Sequence, residues 1–257
     1  MLLAIVMVVG MLPGFSLTTS AAEADVWDGT TASQAWDSGS GTEADPYIIM
    51  TASQLAKLAA DVNGGTDYSG TYFKLGADLD LNGSTYNWTP IGGYHTKGQN
   101  SSAASNTFAG VFDGAGHTIS NMKSKGSSSN YAYAGYRGLF GNLSGALKNL
   151  TLSAPTISGR QSYFGAAVAY ADGATISGIT VNDPDFAHTA SAKYNGGVVG
   201  YIANGTVKNC NVTGGNITAK SDRLGGIIGY AEDVQISGCA VKDGAISSTS
   251  RYVGGIA

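Results

Sequence analysis

The sequence predicts an all-β protein and, within that class, a right-handed parallel β-helix with a short N-terminal capping helix. Two observations predict it: a composition of 38 Gly, 5 Pro and 12% charged residues, and an internal repeat with steps of 28 to 31 residues. Many glycines and few charges are typical of short, tightly turned, apolar strands. A repeat of this length is typical of a solenoid, in which each copy pairs with the next.

The repeat begins with a four-residue motif that has a small residue at each end. Its copies are Gly138-Leu-Phe-Gly141, Ala166-Ala-Val-Ala169, Gly197-Val-Val-Gly200 and Gly226-Ile-Ile-Gly229, and Gly255-Ile256 begins a fifth. Behind each motif, apolar residues recur at fixed spacing: Leu147, Leu150 and Ile157; Ile176, Ile179 and Phe186; Val207, Cys210 and Ile217; Ile236, Cys239 and Ile246. Three apolar segments per copy predict a three-sided coil, with strands of successive copies about 4.8 Å apart.

One corner of the coil is predicted at the same place in every copy. Asn149, Gly178, Asn209 and Gly238 occupy it. Asn and Gly share a tolerance for the left-handed backbone, so a positive φ is expected at each.

With these motifs the sequence resembles the bacterial surface proteins named for the GLUG motif, a repeat found in adhesin-like proteins. It also resembles the repeat regions beside immunoglobulin-A-cleaving peptidases. The resemblance extends to a module that precedes such repeats, through the segments Asp45-Pro-Tyr47, Ser53-Gln-Leu55, Asp78-Leu-Asp-Leu81, Trp88-Thr-Pro-Ile-Gly92 and Phe112-Asp-Gly-Ala-Gly-His-Thr-Ile119. It implies a secreted or cell-surface parallel β-helix, and it transfers no catalytic residue.

Four zones are predicted: a signal peptide (1–24), a flexible lead-in (25–44), an N-terminal capping module with one helix (45–136) and GLUG-type repeats (137–257). The apolar run from Leu2 to Phe15 has about 14 residues, whereas a membrane span needs ~20, so no retained span is predicted and an anchor helix is the alternative. No Lys or Arg precedes Lys57, which predicts a longer natural N-terminus. The sequence ends in mid-coil at Ala257, which predicts further repeats, a cap, an anchor or an end-to-end contact.

Within the capping module, Thr51 and Gln54 predict a capping box that opens a helix ending at Asn63-Gly64-Gly65. The helix buries Leu55, Leu58, Ala59 and Val62. The alternation of apolar and polar residues over 73–81 then predicts one strand with a buried face.

No catalytic residue, cofactor or metal site is predicted. The three histidines share no metal-ligand spacing, and neither HExxH nor GxSxG is present. The formal net charge of −4 offers no basic field for nucleic acid. Acidic pairs at Asp78 and Asp80, and at Asp183 and Asp185, have the residue types for sugar hydrolysis or calcium binding, but turns and exposed strand faces also carry such residues.

The two cysteines take the place that Leu150 and Ile179 hold in earlier copies. Cys210 and Cys239 are therefore predicted to be free thiols in the core. A disulfide between adjacent coils is the alternative in an oxidising compartment.

Two rows of residues are candidates for ligand binding. One is a ladder of Tyr170, Tyr201 and Tyr230 beside the motifs. Polar inserts lengthen the copies at 159–162, 187–195, 219–222 and 247–250. The second row lies in or beside these inserts and comprises Arg160, Tyr163, Lys193, Tyr194, Arg223, Arg251 and Tyr252. The ladder is either covered by the inserts or exposed as an aromatic strip. The insert row is either a solvated edge or a ridge that grips sugars.

The leading hypothesis is a non-catalytic module, adhesin-like or structural, that presents one face to glycans or to host or cell-surface proteins. The alternative is a carbohydrate-active β-helix enzyme of glycoside hydrolase or lyase type, with Asp78, Asp80 and Asp113 as its acids. An enzyme requires acidic residues that converge in one cleft, whereas a module leaves them scattered.

Overall fold

The computed structural model describes residues 24–32, 36–93, 106–126, 136–159, 163–188, 192–249 and 252–257. Within them the chain forms a parallel β-solenoid of about six turns with a single short helix near the N-terminus. The predicted fold class is confirmed. The predicted signal peptide up to residue 23 and the candidates Arg160 and Arg251 lie outside the described residues.

The N-terminal part combines one helix with short strands. Its elements are β1 (Asp25–Val26), β2 (Tyr47–Ile49), α1 (Ala52–Asn63), β3 (Tyr72–Leu75), β4 (Leu79–Asp80), β5 (Val111–Asp113), β6 (Thr118–Ser120) and β7 (Lys123–Lys125). The capping box is present, because Gln54 N donates to Thr51 Oγ1 and Thr51 N donates to Gln54 Oε1. The four apolar residues predicted to face inward on α1 are all buried.

The single strand predicted over 73–81 is wrong in one respect, since it is broken between β3 and β4. Gly76 lies in the break, and a Cβ there would meet the side chains of Met50 and Ile48 at 2.4 Å and 2.8 Å. The chain bends where those side chains cross it, while Phe73, Leu75, Leu79 and Leu81 stay buried on the predicted face.

The repeat part consists of strands alone. They are β8 (Tyr136–Arg137), β9 (Phe140–Leu143), β10 (Ala146–Ser153), β11 (Thr156–Gly159), β12 (Tyr163–Gly165), β13 (Val168–Asp172), β14 (Thr175–Asn182), β15 (Asp185–His188), β16 (Ala192–Gly196), β17 (Val199–Ala203), β18 (Thr206–Lys208), β19 (Asn211–Thr213), β20 (Asn216–Ala219), β21 (Ser221–Gly225), β22 (Ile228–Glu232), β23 (Gln235–Ser237), β24 (Ala240–Lys242), β25 (Ala245–Ser248) and β26 (Tyr252–Gly254).

These strands stack into four parallel sheets, so the predicted three-sided coil is wrong. Sheet 1 has twelve strands and contains β10, β14, β18 and β23; sheet 2 is β8-β12-β16-β21-β26; sheet 3 is β9-β13-β17-β22; sheet 4 is β7-β11-β15-β20-β25. The unexpected side is sheet 2, whose strands begin where the sequence indicates polar inserts. These residues form strands because each segment lies beside the equivalent segment of the next copy. In an extended conformation its backbone N–H and C=O groups are satisfied by hydrogen bonds to that neighbour.

The repeat alignment predicts the register of the core. Phe140, Val168, Val199 and Ile228 are in register in sheet 3, as are Ile157, Phe186, Ile217 and Ile246 in sheet 4. Like residues therefore lie above one another in continuous columns, and each coil buries its neighbour's apolar side chains.

The predicted left-handed corner is present in every copy. Asn149, Gly178, Asn209 and Gly238 have φ values of 53°, 65°, 53° and 63°. Two further left-handed corners were not predicted; they comprise Gly173, Asn204 and Asp233, and Ala154, Asp183, Gly214 and Asp243. Asn, Asp and Gly dominate these columns because they tolerate this backbone best.

The small residues of the motif mark places where backbones approach closely. A Cβ at Gly200 would lie 2.7 Å from the carbonyl oxygen of Phe164, and a Cβ at Gly229 would lie 2.5 Å from the amide nitrogen of Asn195. Sheets 2 and 3 thus pack backbone against backbone at the motif. In the second copy, Ala166 and Ala169 are accommodated in fully buried positions.

The N-terminal part and the repeats share their sheets. Strands β5 and β6 pair with β10 in sheet 1, and β7 pairs with β11 in sheet 4. In the range predicted as a flexible lead-in, β1 pairs with β4, and the Asp25 carboxylate accepts a hydrogen bond from Ala52 N at the start of α1. The domain boundaries stay a prediction.

Candidate functional site

The two predicted rows meet in one surface. Sheet 2 aligns Tyr136, Tyr163, Tyr194, Arg223 and Tyr252 in register. Sheet 3 aligns Asn142, Tyr170, Tyr201 and Tyr230. The seven tyrosines and Arg223 form what we call the tyrosine strip, which runs along the solenoid across successive coils.

Rings within a row stack on one another. Tyr170 and Tyr201 have centroids 4.9 Å apart and planes at 1°, and Tyr201 and Tyr230 follow at 5.3 Å and 16°. In the other row, Tyr163 lies 5.4 Å from Tyr194 with planes at 28°. The ring spacing thus follows the spacing of the strands, because identical residues in register repeat once per coil.

Rings of different rows meet edge to face. The Tyr163 ring lies 5.5 Å from Tyr170 at 86°, and the Tyr194 ring lies 5.4 Å from Tyr201 at 61°. Edge-to-face pairs are favourable because the positive ring edge meets the negative ring face. The two rows therefore hold each other in place.

Arg223 takes the place of a tyrosine in the fourth coil. Its guanidinium carbon lies 5.2 Å from the ring centroid of Tyr194, 4.8 Å from that of Tyr230 and 5.9 Å from that of Tyr252. A guanidinium over aromatic faces continues the stack and brings a positive charge into it.

Carboxylates border the strip on the side of sheet 3. Glu232 Oε2 accepts a hydrogen bond of 3.2 Å from the Tyr201 hydroxyl, and Asp172 precedes it in the same column of sheet 3. Lys193 is exposed in β16, and because successive side chains of a strand point to opposite faces, it lies on the face of sheet 2 opposite to that of Tyr194, outside the strip. Burial, followed by the hydrogen bond to Glu232, raises the pKa of Tyr201; burial also raises the pKa of Tyr163 and of Tyr170. All three stay neutral hydrogen-bonding groups at physiological pH.

The strip is partly covered and partly open. The motif residues of sheet 3 beneath it are buried on both faces, because sheet 2 packs over the motif sheet. The strip tyrosines remain half-buried, except Tyr252, which is 63% exposed. Stacking turns the ring faces within a row toward one another, and each of these tyrosines keeps part of its surface in solvent.

Sequence reasoning did not identify Tyr136 and did not anticipate that the two rows meet. Tyr163, Tyr194, Arg223 and Tyr252 all stand three residues before a motif, which is the signal that places them in one strand column. Tyr136 stands two residues before its motif, so the three-residue spacing does not identify it.

The three acids of the enzyme alternative are occupied in separate local bonds. Asp78 accepts from His117 Nδ1 and Thr118 N, and the bond from Thr118 N is the main cause that lowers its pKa. Asp80 accepts from the Asn82 backbone and the Asn121 amide.

Asp113, the third of these acids, accepts from the Ala115 backbone and from Asn149 Nδ2, and its Oδ2 lies 3.3 Å from Lys148 Nζ. A groove of about 450 Å³ includes Asp80 in its lining but neither Asp78 nor Asp113. These bonds hold turns and corners in place.

Of the other acidic pair, Asp183 occupies a left-handed corner and Asp185 is exposed in β15. Within the described ranges, no three His, Cys, Asp or Glu side chains are grouped closely enough to hold a metal ion.

Both cysteines are free thiols in the structure. Cys210 is buried, and burial raises the pKa of its thiol to about 12; Cys239 is half-buried in the next coil. Their place in the apolar column is the predicted one. In the part of the chain that the structure covers, no helix has the length and apolar character to cross a membrane.

One repeat of the chain matches a known family. Residues 191–218 match the family model of the GLUG motif. This span contains the third copy of the repeat, with β16 to β20. The predicted resemblance is confirmed: the chain carries a GLUG motif.

Halomucin from Haloquadratum walsbyi is 33% identical to the chain over 174 residues. The match covers 65% of this chain and 2% of halomucin, so the chain corresponds to a small part of that relative. A crystal structure from Bacteroides ovatus, provisionally assigned as an immunoglobulin A1 protease, matches with a TM-score of 0.51 at 19% identity, over 86% of each chain. At that identity the match shows the fold alone.

Proposed function

We propose that this GLUG-motif protein is a non-catalytic, secreted or cell-surface β-solenoid module, adhesin-like in its action, which binds glycans through the tyrosine strip. The observation that carries the proposal is the continuity of the strip: aromatic side chains recur in register over successive coils and remain partly exposed.

The scaffold suits a binding surface of this kind. Four sheets and a continuous apolar core run beneath the strip, so its rings are positioned by paired strands rather than by loops. A preordered surface loses little conformational entropy when a ligand binds.

The chemistry of the strip suits sugars. Tyrosine offers an apolar ring edge and a hydroxyl that donates and accepts, and these match the C–H and O–H groups of a pyranose. Glu232 on the sheet 3 margin adds an acceptor, and Arg223 within the strip adds a donor.

The comparisons support a place outside the cell. The chain carries a GLUG motif, a repeat that the sequence resemblance links to surface proteins, and a relative that matches over 65% of the chain is named halomucin. The separate hydrogen-bonded roles of Asp78, Asp80 and Asp113 support a non-catalytic module over an enzyme, because each carboxylate is held by its own local partners and the groove that Asp80 lines includes neither of the other two.

A glycan array probed with the purified protein tests the proposal. Saturable binding is expected, with loss in the triple variant Tyr163→Ala, Tyr194→Ala, Tyr201→Ala. The matched control is Tyr72→Ala, which removes a half-buried tyrosine from β3 outside the strip.

Circular dichroism and thermal unfolding confirm that each variant is folded before it is compared. Absence of binding to every glycan, or equal binding by the folded triple variant, would contradict the proposal.

A further inference from the structure

We infer that the ligand of the tyrosine strip is a linear, unbranched, neutral polysaccharide that lies parallel to the solenoid axis, with one sugar ring beside each coil. The inference rests on the proposed function and adds the ligand class, its direction and the atoms that recognise it.

The spacing of the tyrosine rings along the strip is close to the length of one sugar unit in an extended chain. Along the strip, centroids repeat at 5.3 Å from Tyr136 to Tyr163, at 5.4 Å from Tyr163 to Tyr194, and at 4.9 Å and 5.3 Å through Tyr170, Tyr201 and Tyr230. This is close to the strand spacing of about 4.8 Å. One sugar unit of an extended chain spans a similar length, so a chain laid along the axis meets an equivalent tyrosine at each step.

The orientation of the rings limits how a sugar can contact them. Sugars commonly stack on an open aromatic face, but stacked neighbours such as Tyr170 and Tyr201, whose planes lie at 1°, turn these faces toward each other. The strip therefore offers a line of ring edges and hydroxyl groups. Its recognition depends on hydrogen bonds that repeat with the coil, and a ligand with a hydroxyl group on every unit satisfies them.

The charges along the strip are mixed. Asp172 and Glu232 stand on the sheet 3 side of the strip, and Arg223 lies within it. A uniformly acidic polymer would meet the two carboxylates, and a uniformly basic one would meet Arg223. A neutral polyhydroxyl chain hydrogen-bonds to both.

Calorimetric titration with a length series tests this inference. The probes are linear β-1,4-linked glucose oligomers of increasing length, compared with an α-1,6-linked glucan that does not hold an extended shape. Affinity is expected to rise about threefold to tenfold for each added ring until the strip is filled, because each step adds about one hydrogen bond. The α-1,6-linked chains should show no such rise.

A second measurement separates hydroxyl recognition from ring stacking. The variant Tyr163→Phe, Tyr194→Phe keeps the rings and removes two hydroxyls, and it should lose about tenfold or more in affinity for the longest oligomer while its unfolding temperature stays unchanged. The control Tyr72→Phe removes a hydroxyl outside the strip and should bind as the unaltered protein does.

The outcomes distinguish the two proposals. Binding that is lost in the alanine triple variant, yet is independent of oligomer length or unaffected by Tyr163→Phe, Tyr194→Phe, would overturn the axial inference and leave the proposed function standing. Absence of binding to all glycans would overturn both.

Discussion

Aromatic residues serve different purposes in the two parts of the molecule. In the N-terminal part, Trp36, Tyr68 and Phe73 meet at steep angles, with Phe73 5.0 Å from Trp36 at 80° and 4.9 Å from Tyr68 at 86°. In the coils, Tyr170 and Tyr201 lie nearly parallel at 4.9 Å and repeat with the strands. The first arrangement is a cluster of unlike residues, and the second is a column of like ones.

The difference follows from what each part must bury. In the N-terminal part, β3 pairs with β2 on one side and with β5 on the other, and Trp36 and Tyr68 add contacts that bury the ring of Phe73. A coil inside the stack is covered by its neighbours, and its surface column is free to serve another purpose. Phe73 is thus packed in the core, whereas the tyrosines of the strip keep part of their surface in solvent.

The largest effect is expected in the N-terminal cluster. Phe73→Ala should lower the free energy of unfolding by about 3–5 kcal/mol, because the ring is almost wholly buried and its removal leaves a cavity. Chemical denaturation measures this. A loss below about 1 kcal/mol would show that the cluster does not secure the end of the stack.

The left-handed corners should show the next largest effect. Asn209→Val should cost about 1–2 kcal/mol, since a β-branched residue is strained at a φ of 53°. The matched control Asn209→Gly should be nearly neutral, because glycine already occupies the equivalent position at Gly178. Equal destabilisation by both substitutions, measured by urea unfolding, would refute the conformational explanation.

A smaller effect is expected in the tyrosine strip. Tyr201→Phe should change the free energy of unfolding by no more than about 0.5 kcal/mol, because the ring stack is kept and the lost hydrogen bond to Glu232 is at the surface. Thermal unfolding measures it. A loss as large as that of Phe73→Ala would make the strip a structural element like the N-terminal cluster.

The ionisation of the strip tyrosines should have the smallest effect on the free energy of unfolding at ordinary pH. The pKa values of Tyr163, Tyr170 and Tyr201 are raised in the folded protein, mainly by burial. The contribution of these residues to stability is therefore full below the unfolded-state pKa of about 10 and is lost as the pH rises above it. Spectrophotometric titration of phenolate should show tyrosines that ionise only above pH 10. Complete ionisation of all tyrosines near pH 10 in the folded protein would contradict the burial of the strip.

Sequence patterns predicted the features that repeat with a fixed spacing. The corner at Asn149, Gly178, Asn209 and Gly238 and the apolar columns follow directly from the spacing of the copies, because register in a solenoid is set by the repeat. The capping box of α1 could also be predicted from the sequence, because it depends only on the spacing of Thr51 and Gln54. These features need no knowledge of contacts between distant residues.

The features that depend on packing between sides of the coil were not predictable in the same way. The strands of sheet 2 lie in or beside polar inserts whose composition indicates loops, and they form because the copies above and below pair with them. The meeting of Tyr163 with Tyr170 depends on how sheets 2 and 3 lie against each other. The angle between the two sheets cannot be derived from the spacing of residues in the sequence.

We propose the tyrosine strip, rather than the N-terminal aromatic cluster, as the binding surface. Nuclear magnetic resonance of protein with isotope-labelled tyrosine rings, titrated with a linear β-1,4-linked glucose oligomer, distinguishes the two. The signals of Tyr163, Tyr170, Tyr194, Tyr201 and Tyr230 should shift together and saturably, while those of Tyr47, Tyr68 and Tyr86 stay fixed. Shifts confined to the N-terminal tyrosines, or no shifts in the strip, would contradict it.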